Sequence, residues 1–303
     1  MKNQGVKLGL LILSFFIAGC SNKLDLKLLE TDGKLVSYVI SPSGTLSEDA
    51  QVNFCNLIPS LPKSLSRPLA SNDDSWLLGF YRDVETKNLA ILSPLLFSRE
   101  TAQAVTCKGD EFTEALDFYQ TENKEIIRQT PYEIAIYDMK SCSTTNTILS
   151  TAKTNRYRGV SWNPRSMELA YGISLNFLSE NELHEVHVYN IHTHTNSYQN
   201  SGIAPSWSAD GYSLAYITAD GVSVLNQSER RQISIPIGSV DLSRKSLIHW
   251  SPDGSKLLVS LYIEEFNSNS KAGVFIINLE NQELIQIITD GSEALWFPNW
   301  ICE

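Results

Sequence analysis

Two ten-residue segments of this 303-residue chain align without gaps and constrain its fold more than any other feature. They are Trp207-Ser208-Ala209-Asp210-Gly211-Tyr212-Ser213-Leu214-Ala215-Tyr216 and Trp250-Ser251-Pro252-Asp253-Gly254-Ser255-Lys256-Leu257-Leu258-Val259. A third copy, Trp162 to Tyr171, keeps the Trp and the apolar stretch but loses Asp-Gly. Weaker copies begin at Leu29 (with Asp32-Gly33), at Ala70 (with Asp73) and, faintest, at Cys107, and Pro298-Asn299-Trp300 is a truncated one. Their starts are spaced by about 45 residues on average. A period of that length predicts stacked supersecondary units, none of which buries its own faces alone.

Each unit has the same internal grammar. An alternating strand such as Ser213 to Ile217 follows the Asp-Gly turn. A second strand rich in β-branched and aromatic residues comes next: Ile134 to Tyr137, Val186 to Tyr189, Val222 to Leu225, Val274 to Ile277. A polar turn then leads to a third, such as Ile233 to Ile235 or Leu284 to Ile288. With the strand that ends at the Trp, this makes four short antiparallel strands per period, the pattern of a β-propeller blade. The composition agrees, with 12 Tyr, 11 Phe and 6 Trp in the chain. Residues 107 to 132 fit the repeat least, and Lys124 to Arg128 reads as a long loop or one helical turn.

The motif residues carry structural chemistry. Asp210 and Asp253 are placed to hydrogen-bond their own turns, and Gly211 and Gly254 permit φ > 0. Pro164 and Pro252 preset φ at the turn. Trp162, Trp207, Trp250 and Trp300 read as wedges between adjacent blades, each burying on the order of 200 Å². The same tryptophans would line a sugar-binding surface if the ring exposed them, but packing alone accounts for one Trp per period.

The W-S-P-D-G turn followed by an apolar strand resembles the TolB-type propeller repeat, a WD-like family common in bacterial envelopes. The resemblance is good over residues 160 to 303 and faint over 24 to 160. It implies an all-β, six-bladed β-propeller of four-stranded antiparallel blades, occupying residues 29–303. Phe297 to Ile301 would supply the innermost strand of the first blade, beside strands from residues 33 to about 66, which leaves no free sheet edge. TolB itself carries an additional N-terminal domain for which this chain has no room, so its partner set does not transfer.

The first twenty residues read as an export signal. Lys2 and Lys7 precede an apolar run, Leu8 to Ala18, too short to span about 30 Å of hydrocarbon. Ile17-Ala18-Gly19-Cys20 resembles the bacterial lipobox, which implies a signal peptide over 1–19, diacylglycerol on Cys20 and a tether over 20–28. Acyl chains worth about 0.8 kcal/mol per buried CH₂ anchor a protein without a spanning helix. Ser21 after the Cys implies outer-membrane sorting, with the propeller facing the periplasm or the cell surface. Removing the signal leaves 22 basic against 34 acidic residues, a net charge of −12. That balance argues against nucleic-acid partners, which need basic surfaces.

Four cysteines remain, Cys55, Cys107, Cys142 and Cys302, in an oxidising compartment. Three pairings are open. Cys55–Cys302 and Cys107–Cys142 are favoured because each pair would fall within one expected blade. No Cys-x-x-Cys spacing marks a zinc site.

Enzymatic motifs are scarce. The sequence has no G-x-S-x-G, no phosphate loop and no H-E-x-x-H. Adjacent Asp210 and Gly211 depart from the sialidase S-x-D-x-G-x-T-W box, and the acidic turns lack the spacing of a calcium loop. Four of five histidines cluster at His184, His187, His192 and His194. His192 and His194 share parity and would point one way on an extended strand, as weak metal ligands. Their Thr-rich context reads better as an exposed hairpin, and His249 as a packed strand residue. The expected function is a lipid-anchored envelope module that binds an envelope protein, with no cofactor and no catalysis. The alternative is a polysaccharide-lyase-like enzyme, for which the histidines must converge on the central funnel.

Overall fold

The computed structural model describes residues 24–29, 35–40, 46–49, 65–70, 76–81, 93–98, 100–101, 103–107, 115–120, 124–244, 246–251, 253–264, 270–288 and 293–295. Among these residues the secondary structure is all strand, in four-stranded antiparallel sheets. The first sheet holds β1 (Leu24–Leu29), β2 (Leu35–Ile40) and β3 (Leu46–Asp49). The second holds β4 (Leu65–Ala70), β5 (Trp76–Tyr81), β6 (Ser93–Ser98) and β7 (Gln103–Thr106). In the third are β8 (Ala115–Gln120), β9 (Glu125–Gln129), β10 (Glu133–Asp138) and β11 (Ser143–Ser150).

The fourth comprises β12 (Arg156–Trp162), β13 (Glu168–Leu175), β14 (Leu183–Asn190) and β15 (Thr195–Ser201). The fifth comprises β16 (Ile203–Trp207), β17 (Ser213–Thr218), β18 (Gly221–Asn226) and β19 (Arg231–Pro236). The sixth comprises β20 (Leu247–Trp250), β21 (Lys256–Glu264), β22 (Ser270–Asn278) and β23 (Leu284–Ile288). A last strand, β24 (Glu293–Leu295), pairs with β1 and completes the first sheet in the order β24-β1-β2-β3.

In each of the other sheets the strands run side by side in chain order. The first strands pack on one another from sheet to sheet, β8 on β12, β12 on β16 and β16 on β20, so they are innermost. The fourth strands β11, β15 and β19 are largely exposed. Between the fifth and sixth sheets Ile217, Val222, Leu257, Val259, Leu261, Phe275 and Ile277 form one buried cluster. Burial of such a side chain stabilises by roughly 1.5–3 kcal/mol. Sheets covered on both faces explain why Leu257, Leu258 and Val259 are consecutive and all buried.

Several expectations are corrected. The ordered sheet begins at Leu24, inside the segment expected as a tether over 20–28. Asp32-Gly33 falls between β1 and β2, the second and third strands of their sheet, not between a first and second. Asp-Gly is a general hairpin signal and does not distinguish those two positions. The strand paired with β1 is Glu293–Leu295, whereas Phe297 to Ile301, with Trp300, lies outside the described residues. Lys124 to Arg128 is no loop: Glu125–Gln129 is β9, with Ile126 and Ile127 both fully buried between neighbouring sheets.

Candidate functional site

The repeat turn is a small hydrogen-bond machine. Ser208 Oγ donates to Asp210 Oδ1 at 2.6 Å, and the backbone N–H of Tyr212 donates to the same oxygen at 3.0 Å. Ser208 Oγ in turn accepts the N–H of Ser213 at 3.0 Å. The other copy matches it bond for bond: Ser251 Oγ to Asp253 at 2.6 Å, Ser255 N–H to Asp253 at 3.0 Å and Lys256 N–H to Ser251 Oγ at 2.9 Å. Gly211 and Gly254 have φ of +69° and +70°, a region that side chains disfavour.

The tryptophans and their neighbours stitch sheet to sheet. Trp162 meets Tyr119 of the third sheet edge-on, with ring centroids 4.8 Å apart. Its backbone N–H donates to Asp117 Oδ2 at 2.6 Å. One sheet on, the N–H of Trp207 donates to Ser161 Oγ at 3.0 Å, and Trp250 Nε1 donates to Ser206 O at 2.9 Å. Asp117 thus stands where the next repeat has Ser161, and Phe118 stands where it has Trp162. This is the third repeat, which the faint copy at Cys107 misplaces. Phe is a poor match to a Trp-based motif, so the signal was invisible. Asp117 is half-buried, and burial pushes its carboxyl up to about 7 despite the N–H donors of Trp162 and Phe118 and the Ser161 hydroxyl.

Cys107 and Cys142 form a disulfide with Cα atoms 5.4 Å apart. Cys107 follows β7, and Cys142 lies in the turn between β10 and β11, so the bond joins the second and third sheets rather than two strands of one blade. Cys20, Cys55 and Cys302 lie outside the described residues.

The four histidines do not converge. His184 and His187 are on β14, the third strand out, and His192 and His194 are at the exposed turn into β15. His187 stacks on Tyr171 with centroids 5.3 Å apart and meets Glu185 at 2.8 Å. His194 Nδ1 is 2.9 Å from the Tyr189 hydroxyl. Among the described residues no three His, Cys, Asp or Glu side chains are grouped to hold a metal ion.

His184 Nδ1 is 2.8 Å from Ser174 Oγ and 3.8 Å from Glu182. A nucleophile triad needs serine and acid on opposite ring nitrogens. Here both address Nδ1, and Ser174 is fully buried. Burial holds the His184 pKa below its usual value, with the charge of Arg158 acting in the same direction.

These residues mark one rim. Antiparallel order places the turns between first and second strands, and between third and fourth, on one face of the molecule. The turns between second and third strands and the links from sheet to sheet share the other. On that connection face β12 has a bulge between Tyr157 and Val160, as β16 has between Ile203 and Ser206. At the bulge Arg158 donates to Leu242 O at 2.9 Å and also to Ser243 O, reaching the link between the fifth and sixth sheets. Gly159 lets the chain pass there, since a Cβ would lie 2.8 Å from Ala204 Cα.

The neighbouring turn between β13 and β14 is braced just as closely. Phe177 N–H donates to Thr154 O at 2.7 Å, and the Arg156 guanidinium sits 4.9 Å from the Phe177 ring. Leu178 N–H donates to Glu182 at 3.3 Å. Leu178 has φ of +66° and is 83% exposed, and Leu183 is 57% exposed. Sequence reasoning missed this rim. Its one sequence signal was a pair of leucines flanking the polar run 179–182.

No family model matches the sequence, and no curated protein matches it. Solved structures do. TolB from Acinetobacter baumannii superposes with a TM-score of 0.56 at 12% identity, over 90% of this chain and 65% of that one. This chain therefore spans less than two thirds of that TolB. A structure from Agrobacterium tumefaciens assigned to TolB gives 0.51 at 10% identity, over 91% of this chain and 98% of that one. A luciferin-regenerating enzyme gives 0.51 at 14% identity, over 78% and 79%. At such identities the likeness is one of fold, and the fold of this chain is that of a TolB-like β-propeller.

Proposed function

We propose that the chain is a six-bladed propeller held in the bacterial envelope by a lipid on Cys20, acting as a non-catalytic protein-binding module. Two features support six blades in a ring. The described strands fall into six four-stranded sheets. The short strand β24 contacts β21 of the sixth sheet on one side and β4 of the second on the other. Pairing of β24 with β1 would then fasten the ends of the chain together.

One observation carries the binding reading: a braced turn on the connection face holds Leu178 and Leu183 out to solvent. A non-glycine residue in the left-handed region costs on the order of 1–3 kcal/mol and persists only when its surroundings enforce it. Presenting an apolar side chain at that cost fits a preorganised anchor for a partner's pocket. The lyase-like alternative requires a funnel histidine site, and the outward, separately partnered histidines weigh against it.

The test is crosslinking in the native envelope followed by affinity recovery, comparing wild type with a Leu178→Asp, Leu183→Asp variant. A specific partner should be recovered from wild type and reduced at least tenfold in the variant, at unchanged melting temperature. Equal recovery would remove the binding role of this rim.

A further inference from the structure

Strand polarity decides which end of the propeller a lipid on Cys20 would hold to the membrane. β24 is the innermost strand of the first sheet, and like the other innermost strands it starts at the connection face. Glu293, its first residue, pairs with Leu29, the last residue of β1. β1 therefore ends at the connection face and starts, at Leu24, on the face of the Asp210-Gly211 and Asp253-Gly254 turns. Leu24 pairs with Ile40, the last residue of the third strand, which also ends on that face. From Cys20 to Leu24 there are four residue steps, which reach at most about 14 Å.

From this geometry we infer that the Asp-Gly turn face lies against the lipid surface and the connection face points away from it. The proposal rests on lipidation of Cys20. With so short a tether, a folded body roughly 40–50 Å across cannot turn its far face to the bilayer.

The chemistry of the turn face suits headgroups. In the fourth and fifth sheets it exposes Met167 (46%) and Tyr212 (41%), and the Arg165 guanidinium lies 3.9 Å from the Tyr212 ring. Exposed Arg230 and Arg231 stand at the turn between β18 and β19 on the same face. Tyrosine and arginine favour the membrane–water interface, where anionic headgroups attract each basic residue by about 1 kcal/mol. Asp210 and Asp253 of this face are tied into their own turns, whereas Glu229, Glu280 and Glu283 are exposed on it, so the length of the tether rather than net charge carries the orientation. Leu178, Leu183 and the Arg158-held link are all on the opposite face, free to meet a partner.

The experiment uses the full lipidated protein in phosphatidylethanolamine–phosphatidylglycerol vesicles that contain a photoactivatable headgroup lipid. Crosslinked peptides are mapped by mass spectrometry, and Cys20→Ala serves as the flotation control. Label should fall at least fivefold more on peptides spanning 163–167 and 208–212 than on those spanning 176–183 and 237–244. Equal label on both sets, or more on the second, overturns the orientation while leaving the anchor intact. If Cys20→Ala floats like wild type, the anchor fails and the proposal fails with it. Inserting a 20-residue Gly/Ser linker after Ser21, with a mean span of about 25 Å, should keep flotation and abolish the preference. Persistence of the preference would overturn the tether as its cause.

Discussion

The backbone N–H of Trp162 is bonded to the carboxylate of Asp117 at 2.6 Å, whereas the equivalent N–H of Trp207 is bonded to the hydroxyl of Ser161. One seam of the propeller therefore carries an ionisable group where the next carries a neutral one. Burial raises the Asp117 pKa from 3.8 to about 7. Between those values the folded protein holds a proton that the unfolded chain has released, so stability falls as pH rises from about 4 to about 7. The whole effect is at most about 4 kcal/mol. Asp117→Asn should flatten this slope and leave the protein at least as stable at pH 8, read from melting temperatures between pH 4 and 8. An unchanged slope would show that Asp117 is not its source.

Gly211 and Gly254 share a conformation but not a neighbourhood. A Cβ on Gly211 would meet Asn163 Oδ1 at 2.5 Å and Arg165 Cγ at 2.8 Å, while one on Gly254 meets nothing within 4 Å. Gly254→Ala should therefore cost only the backbone preference, about 1 kcal/mol. Gly211→Ala should cost that and also disturb the buried Asn163, whose amide donates to Gly211 O at 3.2 Å. Denaturant unfolding of the two variants should rank Gly211→Ala as the less stable. Equal losses would mean that the seam between the fourth and fifth sheets yields freely.

The disulfide ties residues 35 apart in sequence, across two sheets. Closing a loop of that size in the unfolded chain is worth about 3–4 kcal/mol in the chain-entropy model. A Cys107→Ser, Cys142→Ser variant should melt several degrees lower than wild type, measured without reductant. No change would place the stability of that seam in its apolar contacts, among them Leu78, Leu96, Ile126 and Met139.

How much was legible in the sequence follows from what each signal reports. Trp207-to-Tyr216 and Trp250-to-Val259 were readable because their Ser–Asp–Gly turns make the same bonds, so the same residue types are required twice. The strands β10, β14, β17, β18, β19, β22 and β23 were readable because β-branched alternation is a local property. The first two strands of the third sheet were not, since Asp117 and Phe118 do the work of Ser and Trp with different side chains and β9 reads as a loop or helical turn. The disulfide's partner sheets were out of reach for a related reason: by its spacing Cys107 reads as the opening of a repeat, whereas it closes the second sheet. The rim was least legible, because Arg158 and Leu242 are 84 residues apart and no periodic pattern links them.

That last contact gives a test of its own. Arg158 bonds the carbonyls of Leu242 and Ser243, and its guanidinium lies 5.9 Å from the Phe177 ring. A planar, forked donor serves two carbonyls and a ring together, and a lysine ammonium does not reproduce that geometry. Arg158→Lys should therefore behave more like Arg158→Ala than like wild type. In both, the link between the fifth and sixth sheets loses hydrogen bonds to a charged donor, each worth roughly 1.5–3 kcal/mol. Amide hydrogen exchange in residues 237–244 should accelerate at least tenfold, while amides of β17 and β21, in the buried core, keep their protection. Acceleration throughout the fifth and sixth sheets would instead make Arg158 a support for the whole fold. Unchanged exchange in 237–244 would show that the link is held by its own backbone bonds, Val240 N–H to Ala219 O at 2.8 Å and Asp241 N–H to Tyr262 O at 2.9 Å.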